Sequence, residues 1–180
     1  WGSAVWCWSR FGQTRTLLPN GSAVYIGGEH EDWYDPDFHI YNDVVVIRSD
    51  KGADQEIEIY GYPRELFRPT DFHTATLVGE AIYIVGCLGY WGTQTPGTTP
   101  VLRLDCRTFA IEAVATSGDL PGWIYDHKAT YVPERNAIRV RGGKVLLRFE
   151  GKRTRRQNRT TYWLDLATNT WSSGRVAKQS

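Results

Sequence analysis

Apolar residues recur along the chain in short runs, many alternating with polar residues, and no stretch keeps the 3.6-residue period of an amphipathic helix. Clusters of glycine, proline, asparagine and aspartate separate these runs, as expected for turns. The pattern predicts three sets of four short strands, at residues 13–18, 23–27, 43–48 and 56–60, then 73–78, 81–85, 101–104 and 109–114, then 127–132, 137–141, 162–166 and 170–172. The predicted fold class is therefore all-β.

The three sets repeat one another. Each second strand ends in glycine, as AVYIGG at residues 23–28, AIYIVG at 81–86 and AIRVRGG at 137–143. His73 and His127 begin equivalent strands, so a shared structural role, such as a hydrogen bond to a neighbouring loop, is expected. A period of 50 to 60 residues with four antiparallel strands is typical of the blades of a β-propeller.

At this point the chain resembles the kelch repeat family. The resemblance rests on the glycine pairs at 27–28 and 142–143 and on the string LDLATNTW at 164–171. It implies about three kelch-like blades, a partial β-propeller or half-ring, in a single domain of residues 1–180 with repeats at about 11–60, 71–116 and 125–173. Cys87 departs from the glycine pair, and Ile111 stands where the family has tryptophan. Other strings are similar to stand-alone bacterial kelch-like proteins, which implies no activity.

The longest predicted loops, residues 29–39, 61–72, 87–100 and 117–126, follow second and fourth strands and so share one face. Loops longer than their connection requires are usually functional. Aromatic residues, which interfaces enrich, are frequent in them. We therefore predict a non-enzymatic protein-interaction module, with partner-binding residues Trp33, Tyr34, Tyr90, Trp91, Trp123 and Tyr125. The alternative is that these rings fold back as caps over the blade ends.

Residues 29–39 also combine five acidic side chains with His30 and His39. Carboxylate and imidazole donors this close together can bind a divalent metal. The spacing of Glu31, Asp35 and His39 resembles the iron-binding pattern of the nitrile-specifier group of plant kelch proteins, although the glutamate lies two residues later than there. That resemblance implies the alternative function, a metal-dependent kelch enzyme or specifier protein using Fe²⁺. The simpler alternative is a solvated acidic loop.

No nucleophile elbow, P-loop or dinucleotide fingerprint is present, so we predict no catalytic residue and no other cofactor. The basic run at 148–159 could neutralise phosphates. The net charge is only +1 and no aromatic ladder accompanies the run, which disfavours nucleic acid. A solvated loop is the alternative.

No apolar run is long enough to span a membrane. Three widely spaced cysteines without a C-x-x-C pair favour a reducing compartment, so we expect a cytoplasmic protein. Three blades leave strand edges open. We therefore expect either a longer natural chain that completes the ring or a homodimer, in which the acidic and basic segments could pair.

Overall fold

The computed structural model describes residues 6–32, 35–48 and 56–174, without the side chains of residues 31, 32, 35–37 and 149. The strands in this part of the chain are β1 (Thr14–Leu17), β2 (Ala23–Ile26), β3 (Glu29–Asp32), β4 (Asp35–Ile40), β5 (Asp43–Ile47), β6 (Ile57–Gly61), β7 (Thr74–Val78), β8 (Ala81–Val85), β9 (Val101–Asp105), β10 (Ile111–Ala113), β11 (Ser117–Gly118), β12 (Trp123–Tyr125), β13 (Lys128–Val132), β14 (Ala137–Arg141), β15 (Lys144–Phe149), β16 (Lys152–Gln157), β17 (Thr161–Asp165) and β18 (Thr170–Gly174). The only helical element in it is the three-residue 3₁₀ turn Pro133–Arg135, and no described helix could cross a membrane.

Three blade-like sheets of four antiparallel strands form the body of the molecule. The first sheet has the order β1-β2-β5-β6, the second β7-β8-β9-β10 and the third β13-β14-β17-β18. The short β11 extends the third sheet by pairing in parallel with β18. Each sheet corresponds to one predicted set of strands, so the prediction of an all-β fold with about three four-stranded blades is confirmed.

Two hairpins project from the connections between the second and third strands of the first and third sheets. One is β3–β4, and the other is β15–β16, with β12 added beside β15. The prediction of a loop at 29–39 is therefore wrong for the described residues of that segment, and most of the basic run at 148–159, for which a solvated loop was the alternative, also belongs to a hairpin. In the second hairpin, Val145 and Leu146 are buried, and Glu150 and Gly151 take the positive φ values that a two-residue hairpin turn requires.

Neighbouring sheets pack face to face because alternate residues of each strand point to opposite sides. The two cores combine Val24, Ile26, Val44 and Val46 of the first sheet with Ile82 and Leu104 of the second, and Val85 and Val101 of the second sheet with Ile138, Val140 and Leu164 of the third. All of these side chains are buried. Apolar burial between consecutive sheets, at about 25 cal/mol per Å², is the main stabilisation of this arrangement.

Backbone hydrogen bonds connect each sheet to the next at the start of its first strand. Gly12, Phe72 and Asp126 occupy equivalent positions just before β1, β7 and β13, and all three have positive φ. The N–H of Phe72 donates to the C=O of Gly12 at 2.8–2.9 Å, as does that of Asp126 to Phe72. The same contact therefore recurs at both junctions between sheets.

A buried histidine completes each junction. The Nε2 atom of His73 lies 2.8 Å from the Thr14 hydroxyl, and that of His127 lies 2.9 Å from the Thr74 hydroxyl. The expected shared role of the two histidines is confirmed, but each partner is a strand residue of the preceding sheet. Burial lowers the pKa of His73 to about 3 and that of His127 to about 4, so both rings are neutral near pH 7.

Gly27 and Gly86 make this close approach possible. Both have positive φ, and an added Cβ would lie 2.1 Å from the Thr70 carbonyl oxygen in one case and 2.2 Å from that of Ile124 in the other. The following residue donates its N–H to the same carbonyl, and in the second sheet this residue is Cys87. In the second sheet the first glycine is thus the required one, and cysteine is accepted after it. In the other two sheets the second glycine is also constrained, because an added Cβ at Gly28 or Gly143 would lie less than 3 Å from another atom.

Candidate interaction face

The long connections of all three sheets contact one another on one side of the molecule, here called the loop face (residues 29–32, 35–40, 62–72, 87–100, 115–126 and 144–157). The N–H of Ile40, in β4, donates to the Tyr90 hydroxyl at 2.8 Å. Arg153, in β16, donates to the Trp91 carbonyl oxygen. The segment at 87–100 therefore lies between the two hairpins and joins them.

Trp123 and Tyr125 are buried beneath this layer, with 1% and 4% of their surfaces exposed. Both lie in β12, and the Trp123 ring packs in a small core with Cys87 and Leu146. Its Nε1–H donates to the Leu88 carbonyl at 3.1 Å. The prediction that these two residues are exposed for partner binding is wrong, because β15 draws them into a three-stranded sheet. The alternative, that such rings cap the blade ends, holds for this pair.

An aromatic cluster of Phe38, Tyr90 and Trp91 stands on the outside of the loop face. Trp91 is 63% exposed and Phe38 is 45% exposed. The Phe38 ring meets the Tyr90 ring edge to face, with centroids 5.8 Å apart. The Tyr90 hydroxyl, held by the Ile40 N–H, fixes the middle ring. Of the six residues predicted to bind a partner, Tyr90 and Trp91 therefore lie at the surface. Phe38 lies there as well, although it was not predicted.

Arg153 positions the exposed tryptophan from the other side. Its guanidinium carbon lies 5.3 Å from the centre of the Trp91 ring, within the range of a cation–π contact. One of its nitrogens also lies 3.4 Å from the Gln94 side-chain oxygen. The side chain of Arg155, on the same strand, lies 6.0 Å from the Tyr125 ring. Part of the basic run is therefore ordered by aromatic partners in the loop face.

Asp71 lies beneath the loop face and holds its segment at 87–100 in place. It is fully buried, and its carboxylate accepts the N–H of Gly89 at 2.6 Å, one residue before Tyr90. It also shares a hydrogen bond with the Glu29 side chain. Burial raises the pKa of Asp71, and a bond between two carboxyl groups requires that one carry a proton. Asp71 is thus a positioning residue for the aromatic cluster.

The predicted metal ligands are only partly within the described residues. The side chains of Glu31 and Asp35 lie outside them. The His39 backbone pairs with His30 across the β3–β4 hairpin, and its ring packs edge to face on Tyr41, 4.8 Å between centroids. Among the described residues no group of three or more His, Cys, Asp or Glu side chains could hold a metal. Metal binding by these three residues stays a prediction.

Trp33 and Tyr34 lie outside the described residues, so their predicted role also stays a prediction. The three cysteines are free thiols, and burial raises the pKa of Cys87 to about 12. A thiol that holds its proton this strongly is a poor nucleophile. Cys87 therefore acts as a packing residue beside Trp123.

Sequence reasoning missed Phe38, Arg153 and Asp71. Phe38 and Arg153 lie in segments that were interpreted by their charge. The alternation of Pro36, Phe38 and Ile40 with polar residues was a signal for the strand that holds Phe38. In contrast, residues 152–157, around Arg153, contain no apolar residue and give no such signal. Asp71 lies in the string TDFHT at 70–74, and nothing in that string shows that the aspartate is buried. Its role depends on Gly89 and Glu29, which are distant in sequence.

No protein-family model matches the chain, and no curated protein matches it. Among solved structures, that of YjhT is similar, with a TM-score of 0.66 at 13% sequence identity. The match covers 94% of this chain and 51% of the YjhT chain. At this identity the likeness shows the fold alone. The chain therefore spans about half the length of the YjhT chain.

Proposed function

We propose that this chain is a non-enzymatic interaction module that binds a protein partner through its loop face, with Phe38 and Trp91 as apolar anchors. The observation that carries the proposal is the exposure of these two rings at the point where the connections of all three sheets meet. Interfaces are enriched in tryptophan, tyrosine and arginine, and such residues often dominate the binding energy.

The loop face is suited to binding because its anchors are already held in place. Tyr90 is fixed by Ile40, and Trp91 by Arg153. Side chains that are ordered before binding lose less conformational entropy when a partner arrives. The flanking hairpins carry opposite charges, since residues 29–37 are acidic and residues 152–156 basic. A partner with matching charges around an apolar centre would be oriented by them.

We also propose that the three sheets are kelch-type blades of a propeller in a cytoplasmic protein. Two equivalent turns support the first part. Asp105 and Asp165 each accept the N–H groups two and three residues later, together with the hydroxyl of Thr108 or Thr168. Trp171 follows the second turn, buried in the core, as the resemblance to the kelch pattern implies.

The test compares the proteins captured by the wild-type chain with those captured by a Phe38→Ala, Trp91→Ala double variant. We expect the double variant to lose specific partners while its melting temperature changes little, because both rings are largely exposed. Leu66→Ala, which removes another exposed apolar side chain of the loop face outside the aromatic cluster, is the matched control. Identical captured sets for all three proteins would refute the proposed site.

A further inference from the structure

The outward side of the first sheet is apolar and exposed. This front face includes the exposed apolar residues Leu17, Ile57 and Ile59 around the buried Val45. Tyr25 and its stacked partner Arg15 lie beside them, and Trp6 and Trp8 lie over one end of the face. Leu17, Ile57 and Ile59 are each more than half exposed, and the two tryptophans more than two fifths. The Trp8 ring packs 4.9 Å from Tyr25. Monomeric proteins rarely expose an apolar patch of this kind unless something covers it.

The outward side of the third sheet is basic and also open. This rear face consists of Lys128, Arg139, Arg141 and Trp163, which share one side because Arg139 pairs with Trp163 and Arg141 with Lys128 in the register. The guanidinium of Arg139 lies 5.9 Å from the centre of the Trp163 ring, and that of Arg135 lies 4.2 Å from it. Positively charged, half-exposed side chains of this type pair well with aromatic rings.

Each open face also has the backbone groups that form one side of the hydrogen bonds between consecutive sheets. At the rear, the C=O of Asp126 and the N–H of Gly143 have no backbone partner among the described residues. At the front, the same is true of the N–H of Gly12 and the C=O of Arg10. If a second molecule were placed as in the two internal junctions, the N–H of Gly12 in one molecule would donate to the C=O of Asp126 in the other. The N–H of Gly143 would likewise donate to the C=O of Arg10.

Gly142 is the third member of the series that contains Gly27 and Gly86. It also has positive φ, but an added Cβ there would meet none of the described residues within 4 Å. In the two internal junctions that space is filled by a carbonyl group of the next sheet. The rear face therefore keeps a glycine shaped for a neighbour that the described residues do not supply.

We propose that two copies of this chain associate front to rear, so that each front face packs on the rear face of the other copy and six blade-like sheets close into a ring. The backbone groups of the two faces match donor to acceptor, and the arginines of the rear face meet the aromatic rings of the front face. The boundary between the first and second sheets already uses such a contact, since Arg48 lies 5.8 Å from the Phe109 ring, and in the loop face Arg68 lies 5.3 Å from the Trp123 ring.

The length relation to YjhT agrees with this assembly, because 94% of this chain covers about half of that chain. A ring of two copies would have a similar number of blades to a chain of twice this length. The proposal does not rest on the loop-face function, since the loop face stays exposed in such a ring.

The test is the mass of the purified chain by sedimentation velocity, followed over a range of concentrations. We expect one species with the mass of two chains. Gly142→Ala should weaken the dimer at least about tenfold, because its methyl group would occupy the place of the partner's Arg10 carbonyl. Ile59→Glu should weaken it similarly by placing a charge in the front face. Gly79→Ala, at another positive-φ glycine with open space around it, is the control and should stay dimeric.

A mixture of the two variants separates this arrangement from others. One Gly142→Ala chain and one Ile59→Glu chain can still form one intact junction, so mixing them should restore part of the dimer. A monomer for the wild-type chain would overturn the proposal, and so would a ladder of larger species. A dimer that Ile59→Glu dissociates and Gly142→Ala leaves intact would overturn it too, because two front faces would then be in contact. Circular dichroism spectra confirm that the variants are folded.

Discussion

Gly27 and Gly86 lie inside junctions between sheets, whereas Gly142, at the equivalent place in the third sheet, lies at an open face. All three have left-handed φ values, between 55° and 68°. A methyl group would collide with a backbone carbonyl at the first two and would meet no atom of the described residues at the third. The backbone shape is therefore a property of each sheet alone, while the steric demand for glycine comes from the sheet that follows.

Polar side chains also differ between the internal junctions and the open faces. Thr14 and Thr74 each hold a buried histidine of the next sheet, whereas Lys128, in the equivalent position of the third sheet, is exposed. At the other end, Gln13 takes the histidine position and lies 3.4 Å from the Gly27 carbonyl oxygen. Residues in the repeat thus change type where the described part of the chain does not provide the contact that selects them.

Replacing Gly86 by alanine should produce the largest effect. The new Cβ would lie 2.2 Å from the Ile124 carbonyl oxygen, a backbone atom that cannot move without separating the second and third sheets. We expect a loss of about 3 kcal/mol or more in the free energy of unfolding, from the clash together with the strain of a left-handed alanine. Urea denaturation measures it.

Gly142→Ala is the comparison for that variant. Measured on dilute, monomeric protein, it should cost only about 1 kcal/mol, the penalty for alanine in a left-handed conformation. Equal losses at the two positions would mean that the backbone shape alone, and not the neighbouring sheet, sets the requirement for glycine.

Thr74→Val should destabilise the chain less than Gly86→Ala, through a different contact of the same junction. It removes the hydroxyl that bonds His127 Nε2, leaving a buried polar nitrogen unpaired, which costs about 1–3 kcal/mol. Measured, like Gly142→Ala, on dilute monomeric protein, Lys128→Val at the equivalent exposed position should stay within about 0.5 kcal/mol of the wild type. Thermal unfolding of both variants in the same buffer makes the comparison. If Thr74→Val were harmless, the bond to His127 would not contribute to the junction.

The strands of the body could be predicted from sequence because their signal is local. Ile82 and Ile84 alternate with Tyr83 along β8, and only one side of that strand faces the first sheet. The hairpin β15–β16 was missed although Val145 and Leu146 form an apolar run bounded by glycine turns, since the number of arginines dominated the interpretation. The second strand of the hairpin, residues 152–157, contains no apolar residue, so no hydrophobic signal marks that strand.

The loop face was less predictable because long-range contacts decide which rings are exposed. Trp91 and Trp123 both lie in long connections, yet one is 63% exposed and the other 1%. The difference is that β12 pairs with β15, about twenty residues further along, which the residues around Trp123 do not reveal. Likewise, Asp71 gains its role only from Gly89 and Glu29.

The last prediction concerns acid, where the two internal junctions should weaken and the open faces should not. Burial depresses the pKa of His73 and His127 in the folded state, so the unfolded chain binds more protons below pH 6.5. Above pH 6.5 both rings are neutral in the folded and the unfolded chain, and the free energy of unfolding is at its full value. As the pH falls towards about 4, the free energy of unfolding decreases by at most about 1.4 kcal/mol per pH unit for each ring.

His127→Gln, which places at the second junction the residue that Gln13 provides in the first sheet, should remove one of the two contributions. The slope of unfolding free energy against pH between 5 and 6.5 should then become flatter by about 1 kcal/mol per pH unit, while stability at pH 8 changes less. Carboxyl groups such as Asp71 titrate in both proteins, so the difference between the two slopes isolates the histidine. Urea denaturation at several pH values provides the slopes. Parallel slopes would show that His127 is already protonated in the folded chain at pH 5, and hence that its junction is more open to water than its burial implies.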